Sequence, residues 1–257
     1  MILYRRAALG GVQLDELDER IVIRSIDPGV PKENIQAVSR MGGAGQRVTA
    51  QHWETLDVSV SWAINEQKRE LSERRRLFDL VNAWALRKGW LTVTGMDGRR
   101  MYVDKVIVPG SGDLWNWTAE FTTTFRAYNV PFWQDEVPAS VNNGNITSGR
   151  MWITVPGMVE TVLDAEMRNI SGQTIPNISI SAGGNTITLN GVNLGGNATL
   201  SISHGTDGLL RITANGSSVY HKKTGAADLV VKPGENAVDI SASRAMRVTL
   251  SAVGRYV

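Results

Sequence analysis

The stretch FTTTFRAYNVPFWQDEVPASVNNGNI, residues 121–146, begins as a strand and stops abruptly. Phe121, Thr123, Phe125 and Ala127 alternate with Thr122, Thr124, Arg126 and Tyr128, the period-two pattern of a strand buried on one face. Pro131-Phe132-Trp133 follows, then two acids, Pro138 and an Asn/Gly-rich run that reads as a polar linker. Composition shifts at the same place. Residues 134–257 carry nine acidic and nine basic side chains, so the net charge of +2 lies wholly in residues 1–133. Most of the 26 glycines lie in the second half. These changes predict two domains, 1–133 and 134–257, joined at Pro131, Phe132 and Trp133. Large apolar side chains at a join are expected to act as packing anchors that hold the domains at a fixed angle.

Upstream of the join the pattern is β with one helix. In TLDVSVSWAI, Leu56, Val58, Val60, Trp62 and Ile64 share one face, and Thr55, Asp57, Ser59 and Ser61 take the other. The period then changes. Leu77, Leu80, Val81 and Trp84 fall at helical spacing, with Phe78 and Ala85 beside them. Arg87-Lys88 before Gly89 is expected in the last turn, where the helix dipole favours cations and a glycine can cap. WLTVTGMDGRRMYVDKVIV follows as a hairpin around Asp97-Gly98. Downstream of the join, short segments such as NISIS, NTITLN, ATLSIS, LLRITA, DLVV, NAVDIS and MRVTLSA are bounded by Gly, Asn, Asp or Pro. They predict a two-sheet sandwich or jelly roll without a helix. NTITLN and ATLSIS read as adjacent hairpin strands.

The chemistry-bearing residues are sparse. With no cysteine, thiolate metal sites, disulfides and cysteine nucleophiles are excluded. His52, His204 and His221 lack metal-ligand spacing and read as surface or cross-strand histidines. GGAGQR at 42–47 completes neither a dinucleotide fingerprint nor a P-loop and reads as a long loop. The carboxylates of DELDER and of Asp135-Glu136 read as solvated turns. The run KRELSERRRLF reads as a solvated helix face laced by Glu70–Arg74 and Arg69–Glu73 pairs rather than a nucleic-acid stripe. No catalytic, cofactor or metal set emerges, so the reading is not an enzyme. There is no apolar run long enough for a membrane span and no signal-peptide pattern at the start, which predicts synthesis in a cytoplasm. Eight tryptophans against four phenylalanines is an unusual ratio. Trp62, Trp84 and Trp117 are in phase with buried faces, whereas Trp53 and Trp115 are out of phase or in loops and are candidates for a contact surface. Leu56, Val58 and Val60, on the strand that follows Trp53, are the accompanying interface candidates.

Taken together, a β domain with one helix, a closing strand running into YNVPFW and a C-terminal sandwich resemble the distal tail proteins of long-tailed bacteriophages. The most specific piece is GLLRITANGSSVYHKKTGAADLVVKPGENAVDIS, in which Leu229, Pro233, Gly234 and Asn236 match a stretch that precedes the family's last strands. The resemblance implies an N-terminal β-sandwich-like ring domain, usually in six copies, whose lumen continues the tail tube. It also implies an outward galectin-like sandwich that holds baseplate or receptor-binding parts, commonly without sugar affinity. The implied partners are further copies of the chain, the tail tube protein and tail-tip or receptor-binding proteins. The tape-measure protein is a further candidate, and no membrane, specific nucleic acid or cofactor is implied. The implied location is the virion tail tip. A carbohydrate-binding module used in host-surface attachment is the alternative, resting on the tryptophans outside the core and the sandwich.

Overall fold

The computed structural model describes residues 5–39, 46–65 and 70–257. Within them the chain is mainly β with one α-helix, and it divides into two units, Met1–Trp133 and Gln134–Val257. The first unit contains β1 (Ala7–Leu9), β2 (Val12–Gln13), β3 (Ile21–Asp27), β4 (Glu33–Ser39), β5 (Gln46–Trp53) and β6 (Leu56–Ile64). Helix α1 (Leu71–Ala85) follows, then β7 (Gly89–Val93), β8 (Arg99–Val103), β9 (Lys105–Ile107) and β10 (Glu120–Ala127). One sheet runs β3-β6-β10-β9, a second includes β2-β1-β7-β8, and among the described residues β4 and β5 pair only with each other.

The two alternating segments of the sequence are the centre of the first unit. β6 and β10 pair antiparallel along their whole length, from Ala63↔Glu120 to Leu56↔Ala127. Their apolar faces coincide, so Leu56, Val58, Val60, Trp62, Phe121, Phe125 and Ala127 are all buried. Helix α1 lies over this face. Phe78 is 5.8 Å from Trp62 and 5.0 Å from Phe121, and Trp84 meets Phe125 edge-on at 5.8 Å. Trp84 also donates from Nε1 to the Val12 carbonyl at 3.0 Å, which ties the helix to β2. The opening stretch stops being a strand because Asp104 caps it. Its carboxylate accepts the backbone N–H of Tyr128 and Asn129 at 2.7 and 3.0 Å, consuming donors that would otherwise continue the ladder.

Local expectations fail at several points here. The helix ends at Ala85 with Leu86 as its C-cap, so Arg87-Lys88 lie beyond the last turn and Gly89 opens β7. Glu70 does not pair with Arg74, because Arg74 belongs to the buried stripe of α1 and reaches backbone carbonyls inside the unit. Arg69 lies outside the described residues, and Glu73 instead binds Arg76 and Arg20. The hairpin 89–103 forms, but β9 leaves it at Asp104 and joins the other sheet beside β10. Trp117 is only partly buried.

In the second unit, β11 (Trp133–Asp135) straddles the division. It is followed by β12 (Ala139–Val155), β13 (Thr161–Asn169), β14 (Ile178–Ala182), β15 (Asn185–Leu189), β16 (Thr199–His204), β17 (Leu210–Ala214), β18 (Ser217–Ser218), β19 (Lys223–Gly225), β20 (Val230–Val231), β21 (Gly234–Ala252) and β22 (Arg255–Tyr256). Two long strands organise it. β12 and β21 pair from Ala139↔Ala252 to Val155↔Gly234, with register shifts between Asn143 and Ser148. One end of β21, Met246–Ala252, pairs with β13, which continues to β16, β17 and β18. The other end, Val238–Ala242, pairs with β14, which continues to β15 and β19. Strands that pass from one layer to the other at a bulge allow two sheets to share a ribbon and close one core. That core includes Met151, Ile153, Leu163, Met167, Ile180, Ile187, Leu200, Ile212, Ile240 and Leu250.

Three sequence readings are corrected by this arrangement. The Asn/Gly-rich run after Pro138 is the first half of the 17-residue β12, not a linker. NAVDIS and MRVTLSA are parts of one 19-residue strand. NTITLN and ATLSIS are not neighbours, since β15 pairs β14 and β19 whereas β16 pairs β13 and β17.

Candidate functional site

Ionisable groups in both units are engaged in holding structure. In the first unit, Asp57 on β6 accepts two bonds from Arg126 on β10, Nε to Oδ1 at 2.5 Å and Nη2 to Oδ2 at 2.7 Å, and a third from Lys32 at 3.0 Å. Hydrogen bonding by the Arg126 guanidinium, against the opposing effect of partial burial, holds this carboxyl below its usual range. Asp18 of the DELDER run is likewise held far below that range, chiefly by Arg20. Glu73 is lowered to about 2 by Arg76 and Arg20. In the second unit Asp135 accepts from the Tyr256 hydroxyl at 3.2 Å. No group of three or more metal-capable side chains occurs among the described residues. None of their helices is long and apolar enough to cross a membrane.

The histidine that sequence alone leaves undistinguished is His204. Its side chain is 5 % exposed, with Nδ1 2.7 Å from Asp164 and Nε2 3.1 Å from Asp228. The main-chain N–H of His204 also donates to Asp164 at 3.1 Å. A neutral imidazole has one N–H and cannot donate to both carboxylates, whereas the imidazolium can. Burial pulls the ring's pKa down, but the two carboxylate contacts outweigh it and the net shift is upward from 6.5. Arg255 is the further charge acting on Asp164. Because the folded-state pKa is raised, this stabilisation is fully present below the unfolded value and is lost as pH rises through the folded value. The thermal midpoint of the second unit is therefore expected to fall as pH increases above about 6.5. His204→Gln is expected to flatten that dependence, and an unchanged pH profile in the variant would remove His204 as its cause.

The residues nominated at the join fold into the first unit. Pro131, Phe132 and Trp133 are all buried. Trp133 donates from Nε1 to the Pro28 carbonyl at 3.1 Å, and Phe132 meets the half-buried Trp53 edge-on at 5.5 Å. The acceptor is presented by a tight turn. Gly29 has φ +65°, and a Cβ there would lie 1.9 Å from the Asp57 carbonyl oxygen, so the turn requires glycine.

The contact-surface candidates separate. Trp115 stands at the end of a 3-10 turn, 72 % exposed. Leu56, Val58 and Val60 are instead fully buried, on a strand paired at both edges, so none of the three has a side chain available to a neighbour. Their alternation marked a core strand, and a core strand inside a sheet has no free edge to offer. Sequence reasoning missed the β4–β5 hairpin, which carries the exposed Ile35, Val38 and Val48. It also missed Trp152, 52 % exposed on β12. The signal for Trp152 was available, since Met151, Ile153 and Val155 take the buried phase and leave the indole on the opposite face. Of GGAGQR, residues 42–45 lie outside the described residues, and Gln46 and Arg47 begin β5.

No family model and no curated protein matches the chain. Solved structures do. The Dit protein (gp 19.1) of phage SPP1, described as a hub adsorption apparatus of phages infecting Gram-positive hosts, superposes with a TM-score of 0.69 at 12 % identity. The match covers 98 % of this chain and 99 % of that one. A chain of the phage P2 baseplate in its activated conformation with Ca has a TM-score of 0.51 at 9 % identity, over 97 % of this chain and 98 % of the other. The same baseplate with Sr gives 0.50 at 9 % identity, over 97 % of both. The chain thus has, end to end, the fold of the phage Dit hub protein.

Proposed function

We propose that this protein is a structural hub of a phage tail tip, located in the virion, and not an enzyme. In this reading the first unit builds a ring, with six copies as the expected number, whose channel continues the tail tube. The second unit carries baseplate or receptor-binding proteins. The observation that carries the reading is the end-to-end likeness of fold to the SPP1 hub protein.

Physical features of the first unit support it. β3 and β9 are the outer strands of their sheet and, among the described residues, each is paired on one side only. Unpaired edges are templates for pairing with another chain, and a head-to-tail contact that closes on itself makes a ring. The β4–β5 hairpin adds exposed Ile35, Val38 and Val48 as apolar contacts. The face of β6 and β10 turned away from the core carries hydroxyls that pair across strands, Ser59 with Thr124 at 3.3 Å and Ser61 with Thr122 at 3.0 Å. This hydroxyl strip, bordered on the same face by the Asp57–Arg126 ion pair, suits a channel wall that must not hold its contents. Trp133 contributes by fixing the point at which the chain leaves the first unit, since Gln134 opens the second.

Native mass spectrometry at micromolar concentration tests the ring. The expected species is six times the 28.1 kDa chain mass. Val38→Asp combined with Val48→Asp is expected to shift the population to monomer with an unchanged circular dichroism spectrum. A wild-type protein that stays monomeric, alone and with its tail tube protein, would defeat the reading.

A further inference from the structure

An Asn-Gly step is where an asparagine loses its side-chain amide most readily, because no Cβ on the second residue hinders ring closure. The chain has three such steps, Asn143-Gly144, Asn190-Gly191 and Asn215-Gly216, all in the second unit. The fold treats them differently. Asn215 is pinned, since its own N–H donates to the Thr199 carbonyl at 2.8 Å and its Oδ1 accepts the Thr199 N–H at 2.9 Å. It also lies in the tight turn between β17 and β18, with φ +47°. At Asn190-Gly191 the attacking nitrogen is engaged, because the Gly191 N–H donates to Asn177 Oδ1 at 2.9 Å. Asn190 Nδ2 in turn donates to the Thr224 hydroxyl at 3.3 Å. Asn143-Gly144 is placed otherwise. The β12–β21 register breaks between Asn143 and Ile146, so Gly144 has no residue in register on β21. Among the described residues β12 pairs with no other strand. A Cβ at Gly144 would meet nothing within 4 Å, and Gly144 and Asn145 are both exposed.

We propose that Asn143 is a self-modification site, deamidating spontaneously in the folded protein and faster than Asn190 or Asn215. Its Oδ1 accepts the N–H of Asn145 at 3.1 Å. A bond from an Asn oxygen to the N–H two residues on folds the carboxamide over the intervening peptide. Cγ is thereby brought beside the Gly144 nitrogen, the near-attack arrangement that an intramolecular closure needs. The same Asn145 N–H faces the negative charge that grows on Oδ1 as Cγ becomes tetrahedral. In the reaction the Gly144 nitrogen loses its proton and bonds to Cγ, the Cγ–Nδ2 bond breaks, and Nδ2 leaves as ammonia with that proton. Water then opens the cyclic imide at either carbonyl, giving aspartate or isoaspartate. Either product places a carboxylate within Ala139–Gly149, a stretch without a charged side chain. Isoaspartate also adds a methylene to the main chain, at a point where the ladder is already interrupted. The site lies in the second unit and does not rest on the hub reading.

The test incubates the full-length protein in mildly alkaline buffer over days. Peptide mapping by mass spectrometry then scores the amide-to-acid mass change at each Asn-Gly step, with the chain unfolded in guanidinium chloride as reference. Unfolded, the three steps are expected to react at similar rates. Folding is expected to slow Asn190 and Asn215 by at least about tenfold and to leave Asn143 within about threefold of its unfolded rate. Gly144→Ala, which the open space accommodates, is expected to slow Asn143 by at least about tenfold with an unchanged circular dichroism spectrum. Asn143→Asp is expected to elute from an anion exchanger with the acidic form that accumulates in aged wild type. The proposal is overturned if Asn190 or Asn215 reacts as fast as Asn143 in the folded protein. It is also overturned if folding protects Asn143 as much as it protects them, or if Gly144→Ala leaves the rate at Asn143 unchanged.

Discussion

Trp133→Ala is expected to destabilise the first unit by about 3–5 kcal/mol, the range for emptying a fully buried large aromatic site. Trp133 is among the largest fully buried side chains of the protein. Its indole N–H is also satisfied inside the unit, by the Pro28 carbonyl in a turn that Gly29 makes possible. Truncation would leave a cavity and an orphaned carbonyl together, and the Cβ-intolerant turn gives the backbone little freedom to collapse into the space. The measurement is direct because seven of the eight tryptophans lie in residues 1–133 and only Trp152 lies beyond them. Tryptophan fluorescence in urea therefore follows the first unit, while far-ultraviolet circular dichroism follows both. The fluorescence midpoint is expected to fall by about 1–3 M, given the usual dependence on urea for a unit of this size. A midpoint within error of wild type would show that Trp133 is not an anchor of the first unit.

The sequence marked Trp133 as an anchor between two domains, whereas its indole bonds to the Pro28 carbonyl within the first unit. β6 and β10 were legible because each is buried on one face and the side-chain period reports the face. The β4–β5 hairpin was not, because most of its described residues are exposed on both faces. ENIQAVS and QRVTAQHW show no clean apolar phase, and nothing local marks them as strands. The first half of β12 was hidden differently. Asn142, Asn143, Gly144 and Asn145 have poor strand preference, and pairing with β21 overrides it. His204 could not be picked out at all, because its two carboxylates lie 40 and 24 residues away. Non-local charge pairs leave no periodic trace. The outer face around Trp152 is an intermediate case. Phase alone puts the indole outside, but the row formed by Arg150, Asp239, Ser181 and Thr186 is seen only when the registers of β12, β21, β14 and β15 are known.

Arg74 is the residue where a charge concealed a core position, and its replacement is expected to be as damaging as that of Trp133. Residues 74, 77, 78, 81, 84 and 85 form one stripe of α1, and all of them are buried. The guanidinium donates from Nη1 to the Ile64 carbonyl at 3.1 Å and from Nη2 to the Asn116 carbonyl at 2.8 Å. It lies 5.2 Å from the ring centre of Trp117 and 5.8 Å from that of Phe121. Burial lowers its pKa, yet a guanidinium stays protonated, so two carbonyl dipoles and two aromatic faces offset part of the desolvation cost, while Nε is buried without a partner. The end of β6, the helix and the 112–117 turn are thereby fastened at a single side chain. Arg74→Ala would strip donors from two carbonyls, each worth about 1–3 kcal/mol when left buried and unpaired, and would open a cavity as well. The expected loss is about 3–5 kcal/mol, again read from the fluorescence transition in urea. Arg74→Met separates the two contributions. It fills most of the volume without donating, so it should recover the packing part and leave the carbonyl part. Arg74→Lys should fall between them, since a single ammonium cannot span two carbonyls while lying flat on an aromatic plane. If Arg74→Met matches wild type, the polar contacts contribute nothing net and the residue acts only as filling. If all three variants match wild type, α1 is held by its apolar stripe alone.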